Sequence, residues 1–154
     1  MRTTFDIGNE AEGVVLSHYI KAGLRVCVPF GTGGPYDLAV DTGTRLVKVQ
    51  VKTATYENGC VRCKTRRRSA SYHRTMRRYE QSEVDYFAIY CPQLDELYGM
   101  SFADARINAS LRIEPTGNMQ EKFIRWAKNY SWEKHIAELK KVAGGRLELP
   151  TSGL

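Results

Sequence analysis

Asp37, Gln50 and Lys52 bring a carboxylate, an amide and an ammonium into one short stretch, PYDLAVDTGTRLVKVQVK, from Pro35 to Lys52. Val47, Val49 and Val51 alternate with Lys48, Gln50 and Lys52, the period of a half-buried strand. Asp41-Thr42-Gly43-Thr44 carries turn chemistry, and Tyr36 to Val40 forms the first arm. A turn over Thr42 to Arg45 pairs residue 41 with 46 and sets Asp37 opposite Gln50. Asp37, Gln50 and Lys52 then share one face. The Asp37 carboxylate, the Gln50 side-chain oxygen and the Val51 carbonyl are hard oxygen donors suited to Mg2+, with Mn2+ as the alternative. Lys52 can orient a water and stabilise charge developing on a phosphorane. A cation held there lowers the pKa of an attacking water and polarises a phosphoryl oxygen. The same spacing also suits a hairpin with a solvated polar face.

The elements that must carry these groups can be read around them. Residues 9 to 22 read as a helix, with Asn9 as N-cap and Gly23 as the stop. Leu16, Tyr19, Ile20 and Val15 form its apolar stripe. Glu12 precedes Val15 and Leu16 by three and four residues, so it points onto that stripe, whereas Glu10 lies on a more polar face. A carboxylate on a buried face is costly unless a cation meets it. Glu12 is therefore the third candidate site residue; the other reading is a first-turn acid that complements the helix dipole.

The chain has 154 residues and a net charge of +6, enough for one domain, expected over 1–143 with a flexible tail at 144–154. Its charge is unevenly spread. Arg62, Lys64, Arg66, Arg67, Arg68, Arg74, Arg77 and Arg78 fall between residues 60 and 79, which contain no acid. The rest of the chain holds 15 basic residues against 17 acidic ones. With Tyr72 among them, these residues fit a phosphate-contacting surface for nucleic acid, steeply weakened by salt. A solvated or disordered basic loop is the competing reading. No apolar run approaches a membrane span or a signal peptide, so no membrane partner is expected. A cytoplasmic location with reduced thiols is expected. Cys27 and Cys91 lie in apolar runs and read as core residues. Cys60 and Cys63 have CxxC spacing but no second pair and no nearby His, thin support for zinc or redox chemistry.

Along the rest of the chain, LRVCVPF from Leu24 to Phe30 reads as a strand. It leads into the Gly31–Pro35 turn, which lacks the Lys-Ser/Thr of a P-loop. Residues 53 to 65 read as a continuation of the sheet, turning at Asn58-Gly59. Residues 69 to 80 suit a loop with a short helix. VDYFAIYC, from Val84 to Cys91, is apolar enough for a central strand, and Leu97 to Phe102 is a shorter one. Asn118 and Glu121 have capping-box spacing for one C-terminal helix, and Ser131 caps another through Val142, with Ile136 and Leu139 inward. Phe123, Trp126 and Trp132 suit packing better than base stacking.

With these segments placed, the chain resembles the PD-(D/E)XK nucleases, and among them the small group I intron-associated homing endonucleases. The likeness runs from about Gly8 to Tyr130. Gly8 to Glu12 resembles the family's Gly-x-x-x-Glu helix start. PYDLAVD with LVKVQVKTA resembles its central hairpin, and EVDYFAIYCPQLDELY the following strand and turn. LRIEPTGN with IRWAKNY resembles its C-terminal region. The resemblance implies an α/β, restriction-endonuclease-like αβββαβ core with a mixed central sheet flanked by helices. It implies metal-dependent cleavage of double-stranded DNA. Carried over, Asp37 is the main metal ligand, Glu12 the helix-borne acid, Gln50 replaces the second motif acid and Lys52 is the catalytic lysine. Gln50 removes one negative charge from the common pattern, which gives Glu12 more weight. A chain this small reading a long site implies a homo-oligomer, dimer or tetramer. A Holliday-junction resolvase of the same superfamily and a non-catalytic DNA-binding module on a nuclease-like scaffold remain as alternatives.

Overall fold

The computed structural model describes residues 1–69, 73, 75–105 and 108–144. Tyr72, Arg74 and the tail from residue 145 lie outside the described residues. The first helix, α1, spans Thr4–Lys21, so it begins well before the Asn9 cap expected from sequence. Thr3 caps it: the Asp6 amide donates to Thr3 Oγ1 at 3.2 Å, and the Thr3 amide donates to Asp6 Oδ2 at 2.8 Å. This is a capping box with Asp in the place usually held by Glu or Gln. Gly23, at φ +84°, ends the helix. The Leu24 amide reaches the Tyr19 carbonyl and the Gly23 amide the Ile20 carbonyl, a Schellman closure.

Strands β1 (Arg25–Cys27), β2 (Leu38–Asp41), β3 (Leu46–Thr53), β8 (Tyr86–Cys91) and β9 (Glu96–Ser101) form a five-stranded sheet in that order. The β3–β8 pair is parallel and the other pairs are antiparallel, so the sheet is mixed. Asp41 pairs with Leu46 and Leu38 with Val49, the register expected from the turn. On one face α1 and α2 (Trp132–Gly144) pack through Val15, Tyr19 and Leu139 against Val40, Val49, Tyr86, Ala88 and Tyr90. On the other face Phe87, Ile89 and Cys91 meet Val61, Ala109 and Leu111. Every residue of β8 is buried because the strand is covered on both faces.

The cover on that second face is a separate three-stranded sheet, β4 (Thr55–Glu57), β5 (Cys60–Lys64) and β10 (Asn108–Arg112), in the order β10-β5-β4. Residues 53 to 65 thus leave the central sheet instead of extending it. The hairpin turn falls at Asn58-Gly59, both with positive φ, as a type I′ turn requires. Strand β10 was not foreseen. Where a loop with a short helix was expected, β6 (Arg66–Arg68) and β7 (Met76–Arg78) form a two-stranded ribbon. The crossover between β3 and β8 therefore runs through strands in its described part.

Three further expectations are corrected. Cys27 is exposed. It lies on an edge strand where only Val26 of the three residues turns inward. No helix follows Asn118: Asn118 Oδ1 accepts the Gln120 amide in a local turn, and the chain turns helical only at the 3-10 segment Ala127–Tyr130. Phe123 is fully exposed, whereas Trp132 packs against Tyr19 and His135. Ser131 does cap α2, accepting the Lys134 amide at 3.4 Å. Gly99 on β9 lies against His135, where an added Cβ would come within 2.2 Å of the ring carbon Cγ. This close approach seats α2.

Candidate active site

Asp37 stands one residue before β2, where the ladder with β3 ends. Its amide still donates to the Val49 carbonyl at 3.0 Å. Beyond that point Val51 has no backbone partner on β2, and its amide donates instead to Asp37 Oδ2 at 2.8 Å. The same carboxylate oxygen accepts Gln50 Nε2 at 2.5 Å, and that amide nitrogen also donates to the Val51 carbonyl at 3.2 Å. The Gln50 amide therefore bridges two of the oxygens that the sequence singled out. Lys52, two residues along the same face of β3, donates through Nζ to the Tyr79 hydroxyl at 2.9 Å and to the Arg66 carbonyl at 3.3 Å. The ammonium also lies 5.0 Å from the centre of the Tyr79 ring.

Glu12 completes the group from α1. It is half-buried beside the inward stripe of Ala11, Val15 and Tyr19, while Glu10 is exposed and pairs with Arg2. Glu12 and Asp37 line one cleft, together with Asn9, Tyr36 and the Gly31–Gly34 turn. Their proximity shows in their ionisation. Burial raises the pKa of Glu12, and the neighbouring Asp37 charge raises it further. Burial likewise raises Asp37, outweighing the Val51 amide, Lys52 and Gln50, which lower it. Burial lowers Lys52, against the pull of Asp37. Two carboxylates forced together at a cost, beside neutral oxygens, are a donor set that a hard divalent cation would relieve. Among the described residues no cluster of three or more His, Cys, Asp or Glu is placed to hold a metal. The fit therefore rests on this pair with the Val51 carbonyl and the Gln50 amide.

The ribbon β6–β7 divides the basic segment. Arg67 and Arg77 are cross-strand partners on its inward face, and both pair with Glu83, at 3.0 and 2.6 Å. Arg67 also donates to the Gly33 carbonyl at 3.1 Å and so ties the Gly-rich turn to the ribbon. Arg66 and Arg78, also partners, are exposed on the opposite face, as is Arg68. Arg62 and Lys64 are exposed on β5. Cys60 and Cys63 are three residues apart on that strand, so they face opposite sides. Burial pushes the Cys63 thiol up to about 12, which removes thiolate chemistry at neutral pH. Sequence reasoning put Tyr79 on the basic surface rather than beside Lys52, and it missed Glu83. The only sequence signal for Glu83 was an acid just past the basic run.

A family model described as PD-(D/E)XK endonuclease matches residues 2–133. The chain belongs to this family. A bacterial homing endonuclease, I-Ssp6803I, is 24% identical with a TM-score of 0.73, the match covering 94% of this chain and 98% of that one. Hjc, a Holliday junction resolvase from Archaeoglobus fulgidus, is 15% identical with a TM-score of 0.40, over 68% of this chain and 83% of that one. No curated protein matches the sequence. PD-(D/E)XK nucleases generally use divalent metals, in keeping with the paired acids of the cleft. Among the described residues no helix is long and apolar enough to cross a membrane.

Proposed function

We propose that this PD-(D/E)XK protein is a Mg2+-dependent endonuclease that hydrolyses phosphodiesters in double-stranded DNA at specific sites, as a homing endonuclease of the group I intron type does. The observation that carries the reading is the convergence of Glu12 and Asp37 on one cleft, both carboxyls raised by burial and Glu12 also by the Asp37 charge, beside the half-buried Lys52. Asp37, Glu12 and the Val51 carbonyl would hold the cation, Mg2+ or Mn2+. When bound, it supplies Lewis acidity to the phosphate and to the attacking water. The Gln50 amide, turned half a turn, presents its oxygen to the same place. Lys52, fixed by Tyr79 and the Arg66 carbonyl, orients the attacking water and stabilises negative charge growing on the phosphate. Asp37 holds the β2–β3 junction in register through the Val51 amide, so the ligand and the lysine move as one rigid unit.

The exposed side of the ribbon supports the DNA assignment. Arg66 faces Arg78 across the strands, an unfavourable like-charge pair that a polyanion would relieve. Lys64, Arg66, Arg68 and Arg78 are the phosphate contacts of this reading, with Arg67 and Arg77 serving Glu83 instead. One compact basic surface per chain favours a homo-oligomer, a dimer or tetramer, on a long target. Four free cysteines suit a reducing, cytoplasmic setting.

Cleavage of duplex DNA by wild type and Asp37→Asn, with Mg2+ and with chelator, tests the proposal. Wild type should cut only with the metal, and the variant should bind DNA but not cut. DNA binding without cleavage by either protein would leave a DNA-binding module as the reading, and undiminished cleavage by the variant would remove Asp37 from the site. Preferred symmetric nicking of a four-way junction would leave a resolvase.

A further inference from the structure

The sheet β10-β5-β4 has an inner face in the core and an outer face that nothing in the central site uses. Its register places Asn108 opposite Lys64, and Ser110 opposite Arg62, with Thr55 next to Arg62 on the far side. All five are exposed, because Ala109, Leu111, Val61 and Cys63 take the inward positions of the same strands. The loop after β10 rises beside this face and makes a groove. Arg62, Asn108 and Ser110 form its floor, and Lys122, Phe123 and Arg125 its wall. No described residue lining the groove is an Asp or Glu.

Two features separate this groove from a generic basic patch. First, its floor carries an amide, a hydroxyl and a guanidinium on neighbouring strands. These are the groups that read base edges, and strands β10 and β5, which carry Asn108, Ser110 and Arg62, form the two-strand width that a major groove admits. Second, Phe123 is fully exposed with φ +62°, and Met119 in the same loop is largely exposed with φ +54°. Large side chains rarely adopt this conformation, and the cost is concentrated in functional loops. An aromatic held out beside polar readers suits contact with a thymine methyl or a sugar.

We propose that this groove is the sequence-reading surface for the duplex flanking the cut, with Asn108, Ser110 and Arg62 contacting bases in the major groove. The inference rests on the nuclease reading above, and the chain path bounds how far the groove lies from the cut. Lys52 is tied to the Arg66 carbonyl, and Arg62 lies four residues back along the same run of chain. At about 3.3 Å per residue that is at most roughly 13 Å of chain, or up to about four base pairs along the duplex.

The test selects bound duplexes from a randomised DNA pool with the full chain in chelator, so no cleavage is needed, and sequences them. Wild type should enrich preferred bases within about four base pairs of its cut site. The Asn108→Ala/Ser110→Ala variant should lose that preference by about 5- to 150-fold per contact while keeping preferences elsewhere. Arg62→Lys, which keeps the charge but not the fork, should relax one further position. A variant profile that superimposes on wild type overturns the proposal, as does a uniform loss of affinity with the preference intact. So does a wild type without preference within that span. Selection that survives in a protein unable to cut with Mg2+ would overturn the nuclease reading and leave this groove standing.

Discussion

Replacing Asp37 by Asn keeps the shape of the side chain and removes a charge that the fold pays to bury. The carboxyl's pKa is raised from 3.8, so burial outweighs the combined help of the Val51 amide, Lys52 and Gln50. A raised folded pKa means that the folded state binds the proton more tightly than the unfolded chain. Its stabilising contribution is full below 3.8 and is lost as pH rises through the folded value. At neutral pH wild type therefore carries the whole penalty, and Glu12 shares it through repulsion. Asn mimics the protonated form: its oxygen still accepts the Val51 amide, and the Gln50 amide turns to suit. In chelator at pH 7 the variant should be more stable by about 0.5–2 kcal/mol, the usual gain on relieving a destabilised functional site. For a chain of this size each kcal/mol moves the midpoint by about 2–4 °C. The gap should close as pH falls towards 4. Adding Mg2+ at a hundredfold its Kd should stabilise wild type by about 2.7 kcal/mol and the variant hardly at all, reversing the order. Thermal and urea unfolding of both proteins, with chelator and with Mg2+, measure this without reference to cleavage. If the variant is the less stable in chelator, Asp37 is a structural cap for Val51. Equal stabilisation of both proteins by Mg2+ would place the cation elsewhere.

Glu83 behaves in the opposite sense. Arg77 above all holds its carboxyl down at about 2. Its contribution is full above 4.5 and should disappear as acid takes the protein towards pH 2. Glu83→Gln should cost about 1–3 kcal/mol by urea unfolding at pH 7 and almost nothing near pH 2; a cost independent of pH would contradict the pairing. Arg66→Ala/Arg78→Ala should lower the slope of log affinity against log salt by about two, whereas Arg67→Ala should lower the melting temperature instead. DNA titrations across salt concentrations and melting curves tell the two faces of the ribbon apart, and an unchanged slope in the double variant moves the phosphate surface elsewhere. Gly99→Ala, with a Cβ 2.2 Å from His135 Cγ and 2.6 Å from its Nδ1, should lose about 1–3 kcal/mol through displacement of α2. A midpoint within error of wild type would mean that α2 has room to shift.

The hairpin carrying Asp37, Gln50 and Lys52 was legible because strand period and turn chemistry act over neighbouring residues. Three valines in alternation and one polar turn leave a single register, and 41 pairs with 46 as expected. Glu12 was legible for a similar reason, since helical spacing puts it beside Val15 whichever residue caps the helix. The start of α1 was misread because a Thr-x-x-Asp box stood in for the commoner Thr-x-x-Glu. Strand β10 was missed because Asn108 to Arg112 alternates over too few residues to stand out.

Local pattern thus determined which groups share the face of one hairpin, and the composition determined that a dense positive charge lies close to them in sequence. What those charges do was decided in three dimensions. Glu83 follows the basic segment in sequence, yet the ribbon folds so that Arg67 and Arg77 converge on it, while Arg66 and Arg78 turn to solvent. Tyr79 comes to Lys52, and Asn108 to Lys64, by pairings and packing between distant segments. Periodicity reports which way a side chain points from its own element. The identity of its partner depends on which other element closes over it, and that is set by packing of the whole chain.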